Sequence, residues 1–445
     1  MYRRATRTVL ARCLADAFLA GVWNEAGLLR RGAAALEPRP RWLLPVVRAV
    51  LDGYHRSPAD RPRELAAFVA RAIEGARHPA VVTDPPRVRR WFTPEPAMAR
   101  RRWPVPELAS LGAVADFLEL SDGELAWLAD VRHLERSAPD ERLRNYRYRV
   151  LPRGHRPPRV IESPKQRLKQ AQRHVLHEIL DRIPAHRHAH GFTRGRSGLT
   201  NAGEHVAQEV VLRLDLEDFF ASIEARRVYG IFRTAGYPEA VAHLLTALTT
   251  NVVPVTTWAA LPRPREPPQI TAHHRLGRRL ATPHLPQGAP TSPALANLAA
   301  FGLDRRLGGL AASLGATYTR YADDLALSGG GLLHARANDV RATVTMIAAE
   351  EGFRVNEAKS ALMTRAGCQR VCGIVVNDHP NVSRAEYDRL KAILHNAARS
   401  GPHNENRGGV PDFRAHLLGR IGWVESVNPA RGAKLRERFA RIAWE

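Results

Sequence analysis

The sequence predicts an α+β protein, and three observations carry that reading. Apolar residues recur at helical spacing in Val9–Trp23 and Glu64–Ala76. The run VVLRLDL, from Val210 to Leu216, is apolar and β-branched, as a buried strand requires. ATYTRYADDLALSG, from Ala316 to Gly329, reads as two strands around a tight acidic turn.

The chain has 445 residues, more than one domain normally holds, and can bury a large core. Hydrophobic residues at 44% and charged residues at 25% exclude a chain disordered throughout. No apolar run approaches the roughly 18 to 20 residues needed to cross a bilayer, and the N-terminal apolar pattern is interrupted by Arg12 and Asp16. A cytoplasmic location with no membrane partner is expected. Three cysteines, Cys13, Cys368 and Cys372, make no disulfide framework and lack the further pair a zinc site would need. The formal net charge of +23 favours a polyanionic partner, nucleic acid above all. Arginine's predominance also fits a GC-rich coding bias, since lysine occurs only at 165, 169, 359, 391 and 434.

Taken in order, residues 1–104 read as a helical extension ending in a basic linker. The linker, Asp84 to Pro106, is rich in Pro and Arg and either lies on phosphate or is simply solvated. From Val105 the pattern changes. Ser121 is a plausible N-cap with Glu124 three residues on, before the helical SDGELAWLADVRHLE, and RNYRYRVLP follows as a strand. Asn251 to His284 is Pro- and Arg-rich and is expected to be an irregular insertion. GCQRVCGIVVND suggests a last strand pair.

The chemistry concentrates at Tyr321-Ala322-Asp323-Asp324. Adjacent carboxylates at a strand turn repel unless a cation is present, and oxygen ligands without neighbouring Cys or His select Mg²⁺ or Mn²⁺. A solvated turn is the alternative. Asp215, at the end of the apolar strand in LRLDLEDFF, supplies a third carboxylate where a solvent-seeking residue would otherwise be misplaced. Two cations about 4 Å apart could then activate a hydroxyl and steady a departing pyrophosphate. Glu217 shares the face of Asp215 by strand alternation and Asp218 opposes it, so both rank second.

LDLEDFF, LPQGAPTSPALAN, YTRYADDLALS and GFRVNEAKS, in this order and spacing, resemble the palm motifs of reverse transcriptases over residues 105–430. Asn201-Ala202-Gly203-Glu204-His205 and the run Gln287–Pro293 resemble the retron type, whereas Cys372 stands where that type has threonine in Val-Thr-Gly. The resemblance implies a right-hand polymerase fold: fingers 105–208, a palm 209–380 with a small antiparallel sheet and the insertion at 251–284, and a helical thumb 381–445. It makes Asp215, Asp323 and Asp324 the holders of two Mg²⁺ ions, with Mn²⁺ as substitute, and Lys359 a proton donor to pyrophosphate. Arg159, Gln287 and Gly288 would meet the incoming nucleotide. Phe220 would abut its sugar and exclude a ribose 2′-hydroxyl, unless it is a plain core ring. Asn201, His205, Arg194 and Arg196 would face RNA.

His186, His188 and His190 read as a basic loop or core packing ahead of zinc ligands. Trp91, Trp103, Trp127 and Trp423 read as packed anchors or base-stacking rings. The implied reaction copies a structured noncoding RNA into cDNA with dNTPs, giving the branched RNA–DNA hybrid msDNA in phage defence beside an effector protein or domain. The rivals are a defence reverse transcriptase without the branched product and a silent RNA-binding scaffold.

Overall fold

The computed structural model describes residues 6–76, 86–153, 156–261 and 264–444. Asp84 and Pro85 of the linker, and Pro262 and Arg263 of the insertion, lie outside the described residues. The chain forms two compact units, one of Met1–Ile183 with Glu224–Thr291 and one of Pro184–Ile223 with Ser292–Glu445.

In the first unit the helical extension is real. Helices Arg7–Leu19, Glu25–Ala35, Leu43–Gly53 and Pro62–Ala76 close around Leu14, Phe18, Leu28, Leu43, Val47, Leu65 and Ile73. Their apolar stripes are what helical periodicity demands of a buried face. The two-residue strands β1 (Leu36–Glu37) and β2 (Arg87–Val88) pair antiparallel at its edge. Beyond β2 the basic linker has little regular structure. Asp60 receives Arg233 Nη2 at 2.6 Å, and Glu239 accepts from the backbone of Arg63 and Glu64, capping helix Pro62–Ala76 and tying it to the remainder of the unit.

Ser121 and Glu124 form the expected capping box at helix Asp122–Leu128. The anticipated strand becomes β3 (Tyr146–Arg153), hairpinned to β4 (Arg156–Pro164). The expectation of an irregular 251–284 insertion is wrong. Helices Val255–Ala259 and Pro267–Leu280 occupy most of it. Proline does not oppose the second helix, because Pro267 sits in its first turn, where no backbone N–H partner is lost. Leu276 and Leu280 are buried, and Gly277 lets the Trp258 indole lie where a Cβ would come within 2.8 Å.

The second unit is built on a four-stranded antiparallel sheet of β5 (Val210–Asp215), β6 (Thr317–Tyr321), β7 (Asp324–Gly329) and β8 (Ala361–Thr364), in the order β6-β7-β5-β8. Val210, Leu212 and Leu214 bury one face of β5, opposite Leu325 and Leu327 of β7. The last strand pair is β9 (Arg370–Val371) with β10 (Ile374–Val375). Helices Arg384–Ser400, Phe413–Val427 and Pro429–Phe439 contribute Leu390, Leu394, Leu417, Ile421, Val424 and Leu435 to a core that also holds Val211, Ala326, Val371 and Ile374. Helices around a small antiparallel sheet make this the α+β, right-hand polymerase architecture that the motifs imply.

Candidate active site

Register brings the carboxylates together. Asp215, the last residue of β5, lies directly across from Asp324, the first of β7, and Tyr321 of β6 pairs with the same Asp324. Ala322 and Asp323 make the two-residue connection, with Ala322 in the left-handed region at φ +56°. Leu216 N donates to Asp323 O at 2.9 Å, which stitches the turn to the strand end. Three carboxylates from two separate chain segments therefore sit at one end of one sheet.

Their electrostatics are those of crowded anions. Burial first, and then the charges of Asp323 and Asp215, push the Asp324 carboxyl up to about 6 against the opposing charges of Arg213 and Lys359. Lys359 Nζ donates to both oxygens of Asp215 at 2.7 Å, and Asn356 Nδ2 reaches Oδ1 at 3.3 Å. Asn356 N also donates to Asp215 O at 2.7 Å. Among the described residues no three His, Cys, Asp or Glu side chains stand ready as a complete cation cage. The donor set nevertheless fits a hard divalent ion: oxygen ligands only, and a buried carboxyl whose ionisation a cation would favour. Glu217 pairs with Arg354 at 3.3 Å.

Behind the turn lies a group that sequence reasoning missed. Arg320 is fully buried and donates to Asp304 from Nε at 2.8 Å and from Nη2 at 2.7 Å. Its Nη1 reaches both Asn297 Oδ1 and Ala322 O at 3.1 Å, so the guanidinium fixes the carbonyl in the middle of the turn. Burial works against the charge, but the Asp304 carboxylate and its hydrogen bonds outweigh burial and hold the Arg320 pKa above its ordinary value. Tyr318 OH also donates to Asp304, at 3.0 Å. An available signal was Arg320 itself, a charged residue inside the strand TYTRY just ahead of the acidic turn.

The loop following the histidines closes over the same turn. Arg320 N donates to His188 O and His190 N to Arg320 O, extending the sheet edge at β6. A Cβ on Gly191 would come within 2.6 Å of Ala322 N, so only glycine permits this approach. The half-buried His186 and His188 rings lie tilted 5.1 Å apart, and His188 meets Tyr318 edge-on at 5.4 Å, so the two rings pack against the fold. Arg194 is exposed, whereas Arg196 braces its own loop through the carbonyls of Arg187 and Ala189.

Phe219 and Phe220 divide their labour. Phe219 is buried against Phe353, while Phe220 is only half-buried and faces the ring of Phe192 at 6.1 Å. Asn201 and His205 are interior, at 1% and 0% exposure. His205 bridges Ser328 Oγ at 2.7 Å and Thr319 Oγ1 at 2.6 Å, locking its helical segment to β7 and β6. Asn201 Nδ2 donates to Cys372 Sγ at 3.2 Å. Any part these two play in RNA recognition is exerted through what they hold in place. Burial pushes the Cys372 thiol up to about 11.

Arg159, Gln287 and Gly288 belong to the other unit, where they share one platform. Arg159 is exposed on β4, and Glu162 N of that strand donates to Gln287 O at 2.9 Å. Gly288, at φ +135°, lies where a Cβ would come within 2.8 Å of Glu162 O. Beneath them Glu162 accepts from His284 Nε2 at 2.9 Å and from Asn251 Nδ2 at 2.8 Å. Thr282 O lies 2.7 Å from His284 Nδ1, so both ring nitrogens face acceptors, an arrangement that favours the protonated ring. Burial disfavours that charge, but Glu162 and the Thr282 carbonyl outweigh it and raise the pKa.

A carboxylate-tipped antiparallel sheet with a lysine on its first aspartate is the palm of a nucleotidyl-transferring polymerase. The family described as reverse transcriptase (RNA-dependent DNA polymerase) matches residues 153–391. Retron Mx65 reverse transcriptase of Myxococcus xanthus is 41% identical over 308 residues, covering 69% of this chain and 67% of the relative. Retron Mx162 reverse transcriptase of the same organism is 36% identical over 343 residues, 73% of this chain and 65% of the relative. Retron Ec86 reverse transcriptase of Escherichia coli is 32% identical over 256 residues, 56% and 70% respectively. This chain thus spans about two thirds of the length of the curated relatives it matches. It belongs to the reverse transcriptases of the retron type, which makes it an RNA-directed DNA polymerase by family. No described helix is long and apolar enough to cross a membrane.

Proposed function

We propose that this chain copies a structured noncoding RNA into DNA from dNTPs and yields the branched RNA–DNA hybrid msDNA in defence against phage, with an effector protein or domain as partner. The observation that carries the catalytic part is the register pairing of Asp215 with Asp324 beside Asp323. Asp215, Asp323 and Asp324 would hold two Mg²⁺ ions, which supply Lewis-acid activation of the primer hydroxyl and charge stabilisation of the leaving pyrophosphate. Lys359, whose ammonium lies on Asp215, would protonate the departing phosphate oxygen. Arg159 and the Gln287–Gly288 turn bind the incoming nucleotide, and Phe220 screens its sugar. Arg194 reaches RNA from the loop after Gly191. Fingers 105–208, palm 209–380 and thumb 381–445 remain the division this reading assigns.

The test is primer extension by the purified chain with Mg²⁺, poly(rA)/oligo(dT) and dTTP. The parent should incorporate dTTP, and Asp323→Asn with Asp324→Asn should abolish incorporation. Absence of incorporation by the parent, or parental incorporation by the double variant, overturns the catalytic reading. Sequencing nucleic acid that co-purifies tests the retron part, with a 2′,5′ branch joining RNA to cDNA as the expected product. Linear cDNA alone would assign the chain to unbranched synthesis.

A further inference from the structure

We propose that Arg213 is a phosphate-binding residue for the growing DNA strand, gripping a phosphodiester behind the primer terminus. Strand alternation places Val211, Arg213 and Asp215 on one face of β5. Val211 on that face is covered by the C-terminal helical core, and Asp215 is the site itself. Arg213 lies between them, half-buried. Its strand neighbours across the register are Ala326 of β7 and Ala361 of β8, two methyl groups that leave the guanidinium no side-chain partner in its own row.

The decisive detail is that Arg213 Nε is buried and has no hydrogen-bond acceptor among the described residues. An unsatisfied donor on a charged group is costly to keep inside a protein. By contrast, the buried Arg320 is satisfied by Asp304, Asn297 and Ala322, and His205 by Ser328 and Thr319. An acceptor from outside the chain would satisfy Arg213 Nε.

Distance and geometry select the ligand. Two residues of strand separate Arg213 from Asp215 by about 7 Å, a spacing of the order of the repeat between successive phosphates in one nucleic-acid strand. If new phosphodiesters form at Asp215, an earlier one lies within reach of Arg213. The planar fork of arginine can hold two oxygens of one phosphodiester at once. The assignment rests on the polymerase reading, but a binding measurement tests it without requiring catalysis.

A fluorescent DNA primer annealed to an RNA template is prepared in versions carrying one uncharged methylphosphonate at successive linkages from the 3′ end, and binding to the full chain is followed by anisotropy. For the parent, one linkage near the terminus should weaken binding about fivefold to tenfold, as expected for a lost charge-assisted contact. Arg213→Gln should bind the unmodified duplex more weakly by a similar factor, lose nothing further at that linkage, and lower the salt dependence by about one phosphate. Arg213→Lys should fall between the two, and the KM for dTTP should not move. The proposal is overturned if the parent has no sensitive linkage, or if Arg213→Gln keeps the full sensitivity. It is equally overturned if the variant alters only the Mg²⁺ requirement, which would make Arg213 a neighbour of the carboxylates and nothing more. A sensitive linkage in a parent that fails to extend would uphold the contact and refute the polymerase reading separately.

Discussion

Replacing Arg320 with methionine separates the stability of the palm from the alignment of its acidic turn. The side chain is fully buried with its partner Asp304, and the pair is joined by bonds of 2.8 and 2.7 Å. Arg320→Met leaves Asp304 charged and buried without its counter-ion, a loss that costs about 3 to 5 kcal/mol when one member of such a pair is removed. About 4 kcal/mol changes the folded-to-unfolded ratio by on the order of a thousandfold. Removing the rest of the network with Asp304→Leu and Tyr318→Phe should regain most of that, because an apolar cluster replaces the buried charge. Activity should not return with it. The Ala322 carbonyl still lacks its donor, and a misplacement approaching 1 Å at the neighbouring aspartates lowers turnover by on the order of a hundredfold. Urea unfolding followed by circular dichroism measures the first quantity, and single-turnover dTTP incorporation the second. An Arg320→Met cost under about 1.5 kcal/mol would refute the buried-pair account. Parental turnover in the triple variant would refute the role of Arg320 in holding the turn.

Burial lowers the His205 pKa from 6.5 to about 4. The folded state therefore disfavours its proton, so the stability this neutral ring contributes is present above about pH 6.5 and is lost as pH falls towards 4. The cost of His205→Gln should thus shrink by about 3 kcal/mol between pH 7.5 and pH 4; a cost independent of pH would refute the buried neutral imidazole. Phe220→Ala should raise rNTP incorporation relative to dNTP in a competition assay, and an unchanged ratio would remove its role as a sugar screen. Gly288→Ala forces a Cβ to within 2.8 Å of Glu162 O at φ +135°. A strain of about 1 to 3 kcal/mol should raise the KM for dTTP roughly tenfold, and a parental KM would separate the turn from nucleotide binding.

Much of the site was legible because its signals are local. Carboxylates side by side in YADD, and one at the end of an apolar strand, are anomalies that need only their immediate neighbours to be noticed. Helical period did the same for the N-terminal extension, whose side chains bury one another at short range. The 251–284 segment failed the same test because proline was weighed as a breaker, whereas in the first turn of helix Pro267–Leu280 it costs no hydrogen bond.

What the sequence by itself determined is which residues are chemically out of place: Asp215, Asp323 and Asp324 among apolar strands. The tertiary structure alone decided what each one faces. Antiparallel register set Asp215 across from Asp324, and folding over 144 residues of chain put Lys359 on Asp215. It also turned His205, an expected RNA contact, into an interior tie, enclosed Arg320 completely, and left Arg213 Nε without an acceptor among the described residues. Partnership and burial depend on contacts between segments far apart in the chain, and local pattern carries no record of them.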